Sequence, residues 1–222
     1  MRSIRLRTVD PANPEHAIIR AALSLALQGL LRGAEFAVDG KAWSAKLDMA
    51  RGDIACLAAE RLVAMMRPCK NMQTLVGKTV PLVIGAGGEY IDAVAEMRNL
   101  MVVDPTPLET AATTPLFRMR NEQGAWVPLS TRRVREITRT LMLVAGENPA
   151  QFGTHSYRIG GATALFAAGA DPLVIRTMGR WSSDIYRLYV RACFSTTVDW
   201  TRRCGSQHVA DVAEEFEEVD CY

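Results

Sequence analysis

The chain has 222 residues, 49% of them hydrophobic and 23% charged, with a formal net charge of +2. That balance fits a globular protein of one domain or two small ones and excludes a disordered or fibrous chain. A membrane span and a secretory leader are not expected: the apolar run AALSLALQGLL stops at Arg32, about half the ~20 residues a spanning helix needs, and MRSIRLRTVD has no apolar stretch after its basic residues.

In chain order, a helical pattern covers Pro14 to Phe36 with a break near Gly29, and its dense leucines and alanines imply burial on most sides. An irregular stretch follows, with turns at VDGKAW and ARGD. RLVAMMR and KTVPLVIG read as two strands joined by the hairpin connection PCKNMQTLVG. EYIDAVAEMRNLM is helical, and the Pro- and Thr-rich VVDPTPLETAATTPLF is a connecting loop. PLSTRRVREITRTLMLVAG reads as a helix with Ser130 as cap and Gly146 as stop.

GTHSYRIGGATALF is a further helix, with Thr154 as cap and Gly169 as the stop beyond it. It contains two adjacent glycines, Gly160 and Gly161, each costing a helix interior about 1 kcal/mol relative to alanine. Lacking Cβ atoms, they let another backbone come close. ADPLVIRTMG starts a short helix with Asp171 as cap and Pro172 at its first position. SSDIYRLYVRACF starts a final helix capped by Ser182 or Ser183. The expected fold class is α+β, a mainly helical domain with one small antiparallel sheet.

Five scattered cysteines (Cys56, Cys69, Cys193, Cys204, Cys221) never form a CxxC pair, which suggests a reducing, intracellular setting and no zinc site. Residues 211–220, DVAEEFEEVD, hold six acids and no base, leaving 26 basic against 18 acidic side chains, or +8, elsewhere. A basic body with an acidic tail fits a polyanion-binding domain that guards its own surface. An ordinary solvated tail has the same composition.

Taken singly, the polar residues have plain readings. His155 and Arg158 lie three apart and share a helix face, as any surface pair does. Arg32 and Glu35 have the spacing of an i, i+3 ion pair, although Arg32 also interrupts an apolar face. Lys70 is a turn lysine with Lys78 as a basic neighbour. Trp181, Tyr186 and Tyr189 are ordinary packing aromatics.

In order and together, GLLRGAEF, a hairpin lysine, HSYRIGGAT, GRWSS and YVR resemble the catalytic domain of the tyrosine recombinase (phage integrase) family, over about residues 14–194. The form of HSYRIGGATALFAAGADPLVIRTMGRWSSDIYRLYVR is most similar to recombinases carried by mobile elements of the crypton and DIRS kind. The resemblance implies a DNA breaking-rejoining domain over residues 1–205, without the N-terminal core-binding domain of relatives, and an acidic tail over 206–222. It matches Arg32 and Arg158 to the two arginines, His155 to the histidine of the HxxR motif, and Trp181 to a position held by histidine or tryptophan. Lys70 matches the hairpin lysine, Tyr189 the nucleophile and Glu35 a supporting acid. Lys78 remains an alternative to Lys70. The gap from Trp181 to Tyr189 is one residue shorter than in many bacterial members, which keeps Tyr186 as the alternative nucleophile.

The implied reaction is transesterification at a DNA phosphodiester: a tyrosine oxygen attacks phosphorus, a 3′-phosphotyrosine forms and a 5′-hydroxyl departs. The bond energy stays in the covalent link, so no ATP, metal or other cofactor is expected. Two arginines suit the phosphate because guanidinium is planar, charged and able to donate paired hydrogen bonds. Trp181 adds an N–H donor, His155 takes the phenol proton or contacts phosphate, and Lys70 protonates the leaving oxygen. The implied partners are double-stranded DNA and further copies of the chain, a tetramer on DNA, with the nucleus as location in a eukaryotic source. A silent DNA-binding derivative and a topoisomerase IB-like relaxing enzyme are the alternatives.

Overall fold

Asn13 opens the first helix: its side-chain oxygen accepts the backbone N–H groups of Glu15 and His16, and Pro14 brings a preset φ to the first helical position. In the computed structural model, which describes residues 10, 12–40, 42–67, 79–190 and 202, this helix, α1, runs Pro14–Gln28. Ala17, Ile18, Ala21, Ala22, Leu25 and Ala26 are fully buried, the all-round burial their density predicts. The expected break falls at Gly29, and a four-residue helix, α2 (Gly33–Phe36), follows.

Three antiparallel strands share the core of this helix, in the order β1 (Ile54–Leu57), β2 (Arg61–Met66), β3 (Val80–Gly85). Arg61 lies opposite Gly85 and Met66 opposite Val80. The two-residue alternation puts Leu62, Ala64, Met66, Leu82 and Ile84 into the core and leaves Val83 exposed. The sequence read β2 and β3 as strands but took β1 for irregular chain. Four residues with a register shift between Ile54 and Cys56 carry too little alternation to register as a strand. The hairpin connection, residues 68–77, lies outside the described residues.

Helix α3 (Ala93–Val103) starts where the Asp92 carboxylate accepts the N–H of Ala95, and it lays Ala93, Val94, Met97 and Leu100 against α1. The segment read as a loop contains one helical turn, α4 (Leu108–Ala111). A second antiparallel pair follows, β4 (Arg118–Arg120) with β5 (Trp126–Pro128), so the expectation of one sheet is corrected to two. Its turn is stated in sequence by Asn121 and Gly124, whose φ is +75°. The strands are too short for a visible period. The guanidinium carbons of Arg118 and Arg120 sit 5.0 and 4.7 Å from the Trp126 ring centroid.

Helix α5 (Thr131–Val144) is capped by Ser130, which accepts the N–H of Arg133, and buries Thr131, Val134 and Thr138. Helix α6 (His155–Ala167) lies against α1, and α7 (Pro172–Met178) follows with the Asp171 carboxylate accepting the N–H of Leu173. Thr154 is itself helical and makes no side-chain capping bond; the Ser156 hydroxyl instead accepts the N–H of Gly153. The expected final helix is, as far as residue 190, a 3-10 turn over Asp184–Leu188. There the Tyr189 carbonyl accepts the Thr163 hydroxyl at 3.3 Å and is drawn towards α6. Residues 191–200 and the acidic tail lie outside the described residues.

The apolar side chains form two clusters. The larger joins α1, β1–β3, α3, the β4–β5 hairpin and α5. The smaller consists of Leu30, Ala162, Ile175 and Trp181, with Tyr189 and Val190 packed on it. Among the described residues no helix is long and apolar enough to cross a membrane.

Candidate active site

Two helix ends meet at the smaller cluster. Helix α1 closes with the Leu31 N–H donating to the Ala26 carbonyl and the Leu30 N–H to that of Leu27; Leu30 has φ +51°. Helix α7 closes the same way, Trp181 N–H to Arg176 carbonyl and Arg180 N–H to Thr177 carbonyl, with Arg180 at φ +56°. This is the helix cap whose left-handed position is ordinarily glycine. Here both turns place glycine one residue early and a side-chain-bearing residue in the left-handed position. At Gly179 the reason is contact: an added Cβ would lie 1.7 Å from the Trp181 ring.

The carbonyls that crowd at these two ends are the negative poles of their helices, and two guanidiniums bridge them. Arg158, on α6, is fully buried and donates to the Leu30 carbonyl at 2.5 Å and the Gly179 carbonyl at 2.6 Å. Arg180 donates to Gly29, Leu30 and Met178 carbonyls at 3.2, 3.3 and 2.8 Å, and to the Glu35 carboxylate at 2.9 Å. Glu35 is buried and also accepts the backbone N–H of Arg32 at 2.7 Å and its guanidinium at 2.9 Å. Burial pushes the Glu35 pKa up, but Arg180, the Arg32 backbone and side chain, and Arg158 outweigh it and hold the carboxyl below its usual range. Three positive side chains thus surround one carboxylate.

Helix α6 can sit this close because of one of its two glycines. A Cβ on Gly161 would come within 2.1 Å of the Leu27 carbonyl oxygen and 2.5 Å of the Leu30 side chain. A Cβ on Gly160 would meet only the Leu27 side chain at 3.9 Å, an ordinary contact. Gly161 therefore lets α6 lie on the end of α1, which delivers Arg158 to the Leu30 carbonyl.

Above Arg158 stand the rings. The guanidinium carbon lies 4.1 Å from the Trp181 ring centroid and 5.7 Å from that of Tyr189. Tyr189 packs at 5.2 Å from Trp181 and meets His155 edge-on at 5.0 Å. His155 and part of Arg32 and Tyr189 reach the surface; Arg158 does not. Desolvation, then Arg158 and Arg32, lower the His155 pKa and keep the ring neutral at neutral pH. Burial and the repulsion of Arg32 push Arg158 down to about 10, Glu35 opposing and Arg180 adding to the fall, so it remains a cation.

Of the residues singled out in sequence, Arg32, Glu35, His155, Arg158, Trp181 and Tyr189 come together. Lys70 and its alternative Lys78 lie outside the described residues. Tyr186 belongs to the Asp184–Leu188 turn, and its side chain is likewise outside the described part. The two arginines of the expected clamp differ in exposure: Arg32 is half-buried. Arg158 has no exposed surface, and two of its N–H groups already hold backbone carbonyls. Arg180 escaped sequence reasoning; the signal was a charged residue directly after a helix-stop glycine, in MGRW. Among the described residues no group of three or more His, Cys, Asp or Glu side chains is placed to hold a metal ion.

No protein-family model matches the sequence, and no curated protein matches it. Solved structures do resemble it. The XerH site-specific recombinase, bound to its palindromic difH substrate in a post-cleavage complex, aligns with a TM-score of 0.59 at 14% identity over 89% of this chain and 48% of its own. XerA recombinase aligns at 0.55 and 16% identity over 88% of this chain and 64% of its own. The Tn1549 transposon integrase, in complex with a circular intermediate DNA, aligns at 0.52 and 13% identity over 82% and 57%. The chain thus spans about half the length of XerH. At the level of fold, the expectation drawn from the motifs holds: the described residues have the α+β fold of tyrosine recombinases.

Proposed function

We propose that this chain cleaves and rejoins DNA strands through a covalent 3′-phosphotyrosine on Tyr189, as the catalytic part of a site-specific recombinase. The observation that carries the reading is the position of the Tyr189 ring, packed between His155 and Trp181 and over Arg158. These residues come from two separate segments, and the end of α1 adds Arg32 as a second guanidinium.

In the proposed step the Tyr189 oxygen bonds to phosphorus as the P–O5′ bond breaks. The phenol proton passes to His155, whose depressed pKa keeps it able to accept. The departing 5′-oxygen takes a proton for which Lys70 is the proposed donor. Negative charge on the phosphate oxygens is met by Arg32 from the exposed side and by Arg158 from beneath. A guanidinium has five N–H groups, and the two carbonyl bonds of Arg158 leave others to donate. For phosphate to reach them, the Tyr189 ring has to move off Arg158, the motion that also frees the phenol oxygen to attack. Trp181 adds an indole N–H. Duplex DNA is the proposed partner, bound by several copies of the chain.

The test is to incubate the protein with a pool of nicked duplexes of randomised sequence and map any phosphorylated tyrosine. A Tyr189 adduct that disappears in Tyr189→Phe is the expected result. DNA binding without an adduct would make the chain a silent derivative. Relaxation of supercoils by a monomer without strand exchange would make it a topoisomerase-like enzyme. An adduct on Tyr186 would move the nucleophile.

A further inference from the structure

Arg180 occupies the left-handed position of the α7 cap, where a residue with a Cβ is uncommon and glycine is at ease. A glycine stands next to it at Gly179. An arginine held in that conformation has a side chain that something else requires. Its guanidinium is nearly buried and bonds to partners from two separate elements: the Gly29 and Leu30 carbonyls at the end of α1, and the Glu35 carboxylate of α2. It also returns to the Met178 carbonyl in its own turn. Glu35 in turn holds Arg32 through both backbone and side chain. The Leu30 carbonyl that Arg180 touches is the one Arg158 uses. Arg180 therefore sits between the two guanidiniums assigned to the phosphate, tied to the anchor of each.

We infer that Arg180 is a positioning residue for phosphate binding, locking the turn after α1 and the Glu35–Arg32 pair onto the turn after α7 so that Arg32 and Arg158 face one phosphate in fixed relation. The inference rests on the recombinase reading for its consequence, and on the geometry alone for the lock. Lysine cannot replace it. A single ammonium lacks the planar fork that reaches carbonyl and carboxylate partners at once.

The experiment compares wild type with Arg180→Gly and Arg180→Lys in the full chain, on a nicked duplex that traps the adduct. Glycine suits the left-handed turn, so Arg180→Gly removes the lock while relieving the backbone. DNA affinity is expected to stay within about threefold while the single-turnover rate of adduct formation falls about 100-fold, the scale set by small misplacements of reacting groups. Added guanidinium chloride at low millimolar concentration is expected to restore part of the rate, which repair of a purely structural defect would not do. Arg180→Lys, retaining the charge, is expected to remain slow; it also serves should Arg180→Gly fail to fold. An Arg180→Gly rate within about threefold of wild type would overturn the inference. A wild-type protein with no tyrosine adduct would sink the recombinase reading instead. The lock is then judged by carbon-13 titration of the Glu35 carboxyl, which should move upward in Arg180→Gly; an unmoved titration overturns the lock.

Discussion

Two buried arginines among the described residues look alike but have different partners. Arg51, beside the large core, is pushed down to about 10 by burial, as Arg158 is at the small cluster. But Arg51 meets a carboxylate: it donates to Asp104 at 2.7 Å, and Arg118 holds the other oxygen of that group at 2.6 Å. Among the described residues Arg158 hydrogen-bonds neutral carbonyls, with Arg32 and Arg180 raising the positive potential around it and Glu35, then Tyr189, opposing. A buried cation with its own carboxylate is a structural pair. One held by helix-end carbonyls among other cations is, in the proposed function, the charge that meets an arriving anion.

That contrast can be broken by experiment. Replacing Arg158 by Lys keeps the charge but loses the fork across two carbonyls, and adduct formation on nicked DNA should fall on the order of 10³-fold. Equal activity of Arg158→Lys and wild type would dissolve the distinction. Arg51→Met should destabilise the fold by about 3 kcal/mol, read by urea melts, because Asp104 loses a buried partner. The same variant should cleave DNA at the wild-type rate when folded. A cleavage defect there would mean that both arginines serve the site.

The glycine pair sharpens the comparison at smaller amplitude. Gly161→Ala should cost about 2 kcal/mol and slow cleavage, since its Cβ would push α6 and Arg158 off the end of α1. Gly160→Ala, whose Cβ would make only an ordinary contact with the Leu27 side chain, should instead stabilise by about 0.5–1 kcal/mol through helix propensity. The same sign for both would show that α6 does not rest on α1 through Gly161.

The smallest effect is in the pH dependence. His155 has its pKa lowered from the ordinary value of 6.5. The unfolded chain therefore takes up a proton that the folded site resists. The stability this group supports is present above the unfolded value and declines as pH falls below it. Glu35, also lowered, acts with the same sign at more acid pH. Arg32→Ala removes one of the charges acting on His155, so its imidazole titration should move upward. A His155 titration indifferent to Arg32 would separate the two residues.

Much of this was legible from residue order. Ser130 and Asp171 cap their helices as their types demand, because a short side-chain oxygen reaches the first free N–H groups. The motifs that share the site also stand in the chain in readable order. The β4–β5 hairpin and β1 were not legible, since three or four residues cannot display a period. Nor did the Thr154 cap survive, because the backbone there is already helical.

Residue types and their spacing alone determined that an arginine, a histidine, a tryptophan and a tyrosine of the right chemistry were present, each on or beside a helix. Only the tertiary structure decided that Gly161, not Gly160, is the contact glycine, that Arg158 lies beneath the rings, and that Arg180 joins the two helix ends. Those facts depend on which carbonyls and carboxylates arrive from elsewhere in the chain. Local spacing carries no record of a partner 128 residues away, such as the Leu30 carbonyl that anchors Arg158.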